Sequence, residues 1–180
     1  MRSKTTQRLT LSALLCALLA VLSQLQIPLP PVPISLSLLA VHLCGALLGS
    51  RWGAAAVGCY VALGAVGVPV YAGFSGGISV LFGPTGGFLF GYILCAWLTG
   101  RLSARLGFSR RGLTVAMAAG TLVCYLAGTA WFMLLTGSNM TASLAVCVLP
   151  FVPGDVIKVI FAVPLCLRLQ KPLHIAGLRV

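Results

Sequence analysis

Two residues of this sequence have types and spacing that can do chemistry. Asp155 is the only Asp or Glu among 180 residues. Lys158 follows it by three positions, inside the apolar stretch VLPFVPGDVIKVI at 148–160. Residues three apart on a helix share a face, so a carboxylate and an ammonium group placed this way can neutralise each other. Pro153-Gly154 marks a late helix start, which sets Asp155 in a first turn where the helix dipole favours an anion. Two readings stay open. In one, Asp155 caps the helix and Lys158 is its counter-ion, serving the fold alone. In the other, the pair lines a cavity open to the outside: the carboxylate accepts hydrogen bonds from ligand N–H groups, and the ammonium meets a ligand anion. A small molecule with donors at one end and a carboxylate at the other suits the second reading. An empty site can also hold the pair together until a ligand replaces it.

The stretch 68–92, VPVYAGFSGGISVLFGPTGGFLFGY, is the longest uncharged connection, with seven of the 21 glycines and Gly67 just before it. Such backbone can approach a ligand closely, and irregular backbone at membrane depth is tolerated where it lines a cavity. Ser75, Ser79 and Thr85 add hydroxyls, and Tyr71, Phe74 and Phe82 can cover an apolar ring. The alternative is a flexible connector, with Gly64, Gly86, Gly87 and Gly91 serving helix packing. Residues 26–35, QIPLPPVPIS, are too proline-rich for helix and form an extended segment suited to one wall of a pocket mouth. Ala13 and Ala17 make a small-xxx-small pair that lets another helix approach, or is ordinary membrane-helix alanine. Asn139-Met140-Thr141 matches a glycosylation sequon and carries little weight.

The elements that must position these residues are membrane spans. Hydrophobic residues make up 59% of the chain, charged residues 7%, and the mean hydropathy is +1.08. A soluble domain carries about a quarter charged residues; this is an all-α integral membrane protein forming one domain over residues 1–180. Six apolar segments are expected at 8–26, 34–49, 52–68, 84–102, 113–136 and 148–169, the first retained rather than cleaved as a signal peptide. All but one of the 12 Lys and Arg fall at alternate ends: before the first span, at Arg51, at Arg101 to Arg111, and at Arg168, Lys171 and Arg179. Cytoplasmic loops are the ones enriched in these residues, so both termini are expected inside. The loops 27–33, 69–83 and 137–147 carry no Lys or Arg and are expected outside. The net charge of +11 then reports orientation and attraction to an anionic inner leaflet, and nucleic-acid binding is not needed to explain it. The exception is Lys158, which the map puts with Asp155 in the outer half of the membrane.

Seven cysteines with no C-x-x-C or Cys/His cluster indicate neither a disulfide frame nor a metal site, and read as small buried hydrophobes. His42 reads as a packed or helix-to-helix hydrogen-bonded residue, His174 as a solvated one in a basic tail. The phosphate-loop pattern G-x-x-x-x-G-K-[ST] is absent from the sequence.

PVPISL (31–36), AGFSGG (72–77), FGPTGGFLFGY (82–92) and PFVPGDVIKV (150–159) resemble, in order and spacing, the signature stretches of the BioY family. This family comprises the biotin-specific substrate-binding components of energy-coupling-factor transporters. The resemblance covers roughly residues 8–172. It implies a six-helix protein of a prokaryotic cell membrane that captures biotin from outside, without a cofactor, and works with a transmembrane coupling subunit and two cytoplasmic ATPases. Carried onto this sequence, Asp155 takes the place of the acid that binds the ureido group, and Lys158 of the residue that meets the valerate carboxylate. Ser75, Gly76 and Gly77 match the loop that closes over the bicyclic head; Phe74 and Tyr71 stand beside them as candidate ring contacts from their residue types. Ser37 falls in the first signature region, and Ala13 and Ala17 match the face that docks on the coupling subunit. The chain departs from the pattern at Ser37, Phe74, Ser75 and Leu89, where members carry Gln, Gly, Asn or a basic residue; Leu89 brings no second cation. Two other functions compete. A membrane-embedded enzyme would use Asp155 as a base but lacks a companion nucleophile or metal. A self-sufficient transporter or channel for a small carboxylate would use Asp155 as a proton carrier, and no inverted repeat supports it.

Overall fold

The computed structural model of the chain describes residues 4–27, 32 and 34–175. Pro28, Pro30, Pro31, Pro33, Arg2, Arg179 and the side chain of His174, all used in the sequence reading, lie outside the described residues.

The architecture is helical. The elements are α1 Lys4–Gln24, a short hairpin of β1 Gln26–Ile27 on β2 Ile34–Ser35, α2 Ser37–Ala65, a single 3₁₀ turn at Ala72–Phe74, α3 Ile78–Leu81, α4 Gly86–Leu106, α5 Arg110–Thr136, α6 Met140–Cys147 and α7 Val152–Ile175. The hairpin is antiparallel, with Gln26 opposite Ser35 and Ile27 opposite Ile34, so the ends of the proline-rich segment are extended, as expected. Four helices are long and apolar enough to cross a bilayer, or five if α6 and α7, bent by 47° at their junction, count as one span.

α2 is not one straight rod. Gly49 has φ 77° and ψ 177° inside it, a backbone that only glycine adopts without strain. A Cβ added to Gly53 would lie 2.6 Å from the Cys44 carbonyl oxygen and 2.9 Å from the Gly45 Cα. Residues eight or nine apart in a continuous helix are separated by about 12 Å or more, so the chain reverses at Gly49. Limbs 37–48 and 50–65 run back against each other, matching the separate segments expected at 34–49 and 52–68.

Hydrophobic burial drives little here, because lipid tails are as apolar as leucine; close packing through small residues takes its place. Gly45 on the first limb sits so near α4 that an added Cβ would be 2.5 Å from the Ala96 carbonyl oxygen. Gly91 of α4 meets Cys124 of α5 in the same way, at 3.1–3.2 Å. Gly87 packs under Trp131, so the expected helix-packing role is seen at Gly87 and Gly91, whereas Gly64 lies under the ring of Tyr71 from the connection and Gly86 against the Leu81 backbone of α3. Leu122, Leu134, Ile160 and Phe161 point outward.

Two connections differ from expectation. Residues 140–147, read as loop, form α6: Asn139 accepts a hydrogen bond from the Ala142 N–H at 3.0 Å, a helix cap where the sequence showed a sequon. The 69–83 connection is also structured, with the 3₁₀ turn and α3. All seven cysteines are free, and six are buried as expected, but Cys59 is exposed.

Candidate functional site

Pro153 occupies the second position of α7, where its missing N–H costs nothing, and Asp155 lies in the first turn. Its own N–H donates to the Phe151 carbonyl at 2.8 Å. One turn on, the Lys158 ammonium donates to Asp155 Oδ1 at 2.6 Å, the one salt bridge among the described residues. Both residues are deeply buried, at 4% and 6% exposure. Buried charges at this depth demand a compensating environment.

That environment is a cavity of about 230 Å³, which both residues line. The pair is therefore turned toward open volume rather than wedged among packed helices. Ser37, Tyr71 and Ser75, expected from sequence, also line it. Ser37 Oγ shares a hydrogen bond with Ser35 Oγ at 2.6 Å. Tyr71 donates through its hydroxyl to the Val61 carbonyl at 2.5 Å, and burial pushes this phenol up to about 12, so it stays a donor at neutral pH. Ser75 closes a tight turn: its Oγ donates to the Ala72 carbonyl at 2.9 Å, and the Tyr71 N–H donates to its carbonyl at 3.0 Å.

Phe74, Gly76 and Gly77 are placed beside the cavity and are not among its lining residues. Phe74 is exposed, and its φ of 55° is rare for a bulky residue; its N–H donates to Gln24 Oε1 at 2.8 Å. Gly76 backs onto the Val68 carbonyl, 2.6 Å from where a Cβ would be. The Gly77 N–H donates to the Gly64 carbonyl at 2.7 Å. These glycines fasten the connection to the end of α2. From α1, Ser23 and Gln24 fasten its other side, Ser23 Oγ donating to the Val70 carbonyl at 2.5 Å and Gln24 Nε2 to the Tyr71 carbonyl at 3.1 Å. Ala13 and Ala17 are exposed on α1 and line a separate groove of about 530 Å³ against the second limb of α2.

Of the aromatic wall the sequence reading gives only Tyr71 and misses Tyr60, Tyr92 and Tyr125. All four tyrosines of the chain, 60, 71, 92 and 125, line the cavity. A phenol within a span needs a partner for its hydroxyl, and this was the available signal. Tyr60 and Tyr71 meet edge to face at 5.6 Å, and Phe88 stacks near Phe151 at 6.0 Å. Tyr125 of α5 reaches Asp155 itself, donating to Oδ2 at 2.5 Å. Chemically, the site offers a carboxylate acceptor, an ammonium group on a long stem and flat apolar walls. Among the described residues, no group of His, Cys, Asp and Glu is arranged to hold a metal.

Comparison with known proteins gives the family and the fold. A biotin transporter BioY of Thermotoga maritima is 38% identical over 174 residues, covering 92% of this chain and 96% of its own length. A probable biotin transporter BioY of Pyrococcus horikoshii is 38% identical over 164 residues, covering 91% and 96%. The crystal structure of the S-component for biotin from an ECF-type ABC transporter superposes with a TM-score of 0.88 at 30% identity, over 95% of each chain. The sequence model described as the BioY family matches residues 1–174, and with relatives this similar over nearly its whole length the chain belongs to the BioY family.

Proposed function

We propose that this chain is the biotin-capturing membrane component of an ATP-driven uptake system. The observation that carries the reading is the Asp155–Lys158 pair lining the cavity. Biotin supplies two ureido N–H donors, a carboxylate, and a fused ring with a thioether, which favours contact with aromatic faces. Asp155 accepts from the ureido N–H groups, and Lys158 meets the carboxylate. The two protein groups stand 2.6 Å apart, whereas a chain of methylenes separates the ligand's two polar ends. Lys158 therefore leaves Asp155 on binding and swings along its flexible stem.

Six spans follow if the limbs of α2 count separately and α6–α7 count once. With the Lys and Arg map, this puts both termini in the cytoplasm and the cavity toward the outside of the cell membrane. Transport then requires a transmembrane coupling subunit and two cytoplasmic ATPases, in keeping with the lack of a phosphate-loop pattern in the sequence. Ala13 and Ala17 offer the close-packing face for that subunit. The test is calorimetric titration of the purified chain with biotin and a panel of other vitamins. Saturable binding of biotin alone is expected; no biotin binding, or equal binding of an unrelated vitamin, overturns the reading.

A further inference from the structure

We propose that Tyr125 is the positioning residue that holds the Asp155 carboxylate in place while Lys158 is exchanged for ligand; this inference rests on the function proposed above and deepens it. The two oxygens of Asp155 are held from different helices. Lys158, on the same helix, donates to Oδ1 at 2.6 Å, and Tyr125, on α5, donates to Oδ2 at 2.5 Å. Lysine is a long, flexible donor with many rotamers, whereas a tyrosine ring has two torsions and loses little entropy when held.

Asp155 and Tyr125 also share a second position. Both line the cavity, and both line a cleft of about 290 Å³ between α5 and α7. Apart from Thr114 and Thr121, the cleft is otherwise walled by apolar residues such as Leu122, Val156, Val159 and Ile160, and Leu122, Val156 and Ile160 are exposed on the outer surface. The carboxylate thus stands in the partition between the ligand cavity and a surface that meets hydrocarbon. An oxygen turned into the cleft would lose its hydrogen bonds at a large cost. The Tyr125 hydroxyl prevents this by fixing one oxygen.

Ligand exchange makes the second demand. When Lys158 moves to the ligand carboxylate, Asp155 loses its counter-ion, and a buried charge stripped of its partner is strongly unfavourable. A carboxylate has about four lone-pair sites. The ureido N–H groups can take the site vacated on Oδ1 and the second site on Oδ2, while Tyr125 keeps the first. Three donors to an anion, each charge-assisted, then replace one ammonium and one phenol. Tyr125 is the member that bridges both states and sets the plane of the carboxylate for a two-pronged donor.

The test is Tyr125→Phe, which keeps the ring in the partition and removes only the hydroxyl. By calorimetry, biotin affinity falls about ten-fold, the scale of one hydrogen bond to a charged group. Biotin amide, which lacks the carboxylate, loses the same factor. A second readout is infrared absorption of the ligand-free protein. Asp155 is the only Asp or Glu, so it and the C-terminus alone supply the carboxylate bands, and the Asp155 band shifts in Tyr125→Phe. A role in packing alone would not move that band. Unchanged biotin affinity overturns the proposal, as does an unmoved band or a loss confined to biotin and absent for its amide. If wild-type protein fails to bind biotin, the function proposed above is wrong, and the infrared arm still decides whether Tyr125 governs the carboxylate.

Discussion

Two clusters of buried polar side chains cross the interior of this chain, and they differ in what lies beside them. In the first, His42 on the first limb of α2 contacts Thr99 Oγ1 of α4 at 3.3 Å and Thr121 Oγ1 of α5 at 3.1 Å. Cys95 Sγ fills in at 3.7 Å from the imidazole, and a Cβ on Gly120 would already be 3.0 Å from that sulfur. In the second, Tyr125, Asp155 and Lys158 join α5 to α7 beside a space of about 230 Å³. The first cluster is packed around a fully buried histidine, with Thr121 alone reaching the cleft between α5 and α7; the second is charged and faces the cavity. Hydrogen bonds between spans contribute modestly, averaging about 0.6 kcal/mol, enough to fix which helix faces meet. A full charge costs more than such bonds return, so a charged pair kept only for helix contact would be a poor substitute for His42. The void is what gives the charges a use.

The sharpest way to break this comparison is Asp155→Asn. The amide is a poorer acceptor for two N–H donors, and each hydrogen bond to a charged group is worth about 1.5–3 kcal/mol. Biotin affinity should fall on the order of 100-fold in a calorimetric titration. The substitution also leaves Lys158 without its counter-ion, so thermal unfolding must be read alongside. The double variant Asp155→Asn, Lys158→Met removes the orphaned charge and is expected to recover stability but not binding. Wild-type affinity in either variant would return the pair to the role of cap and counter-ion.

How far these clusters could be read from the sequence differs in an instructive way. Asp155 and Lys158 share one helix, so their spacing alone put them on one face. His42 was correctly read as a link between helices, though Thr99 and Thr121 lie 57 and 79 residues away, beyond the reach of any local pattern. The tyrosines failed for the same reason: Tyr60, Tyr92 and Tyr125 sit on three different helices and converge only when these pack. Glycine told more about the fold than about the site. Gly87 and Gly91 serve helix packing as anticipated and Gly64 makes room for Tyr71, while Gly76 and Gly77 fasten a connection and do not line the cavity. The missed helix α6 had its signal in Asn139, a capping residue ahead of an apolar run.

The histidine cluster supplies the next test. His42→Leu removes a partner from two buried hydroxyls, although Thr99 retains the Ala116 carbonyl at 3.5 Å. With about 1–3 kcal/mol for a buried group left unsatisfied, a stability loss of about 2 kcal/mol is expected in detergent unfolding. Biotin affinity should stay within about two-fold, because His42 does not line the cavity. A ten-fold loss of affinity with unchanged stability would erase the distinction between the clusters. Within the charged cluster, Lys158→Ala separates the two ends of the ligand. It should weaken biotin about ten-fold more than it weakens biotin amide, the scale of one charge-assisted contact. Equal losses would mean that the lysine serves Asp155 rather than the carboxylate.

The smallest effect is expected at Ser75, and it asks where the site ends. Its hydroxyl lines the cavity but donates to the Ala72 carbonyl at 2.9 Å. The turn it closes is held independently by the Tyr71 N–H on the Ser75 carbonyl, and by Gln24 on the carbonyls of Val70 and Tyr71. Ser75→Ala therefore removes one of several bonds in an already fastened connection, worth about 0.5–1.5 kcal/mol at most. Biotin affinity should fall about three-fold or less in the same titration. A loss of ten-fold or more would mean that the hydroxyl turns from Ala72 to the ligand, making the 71–75 turn part of the binding surface rather than its frame.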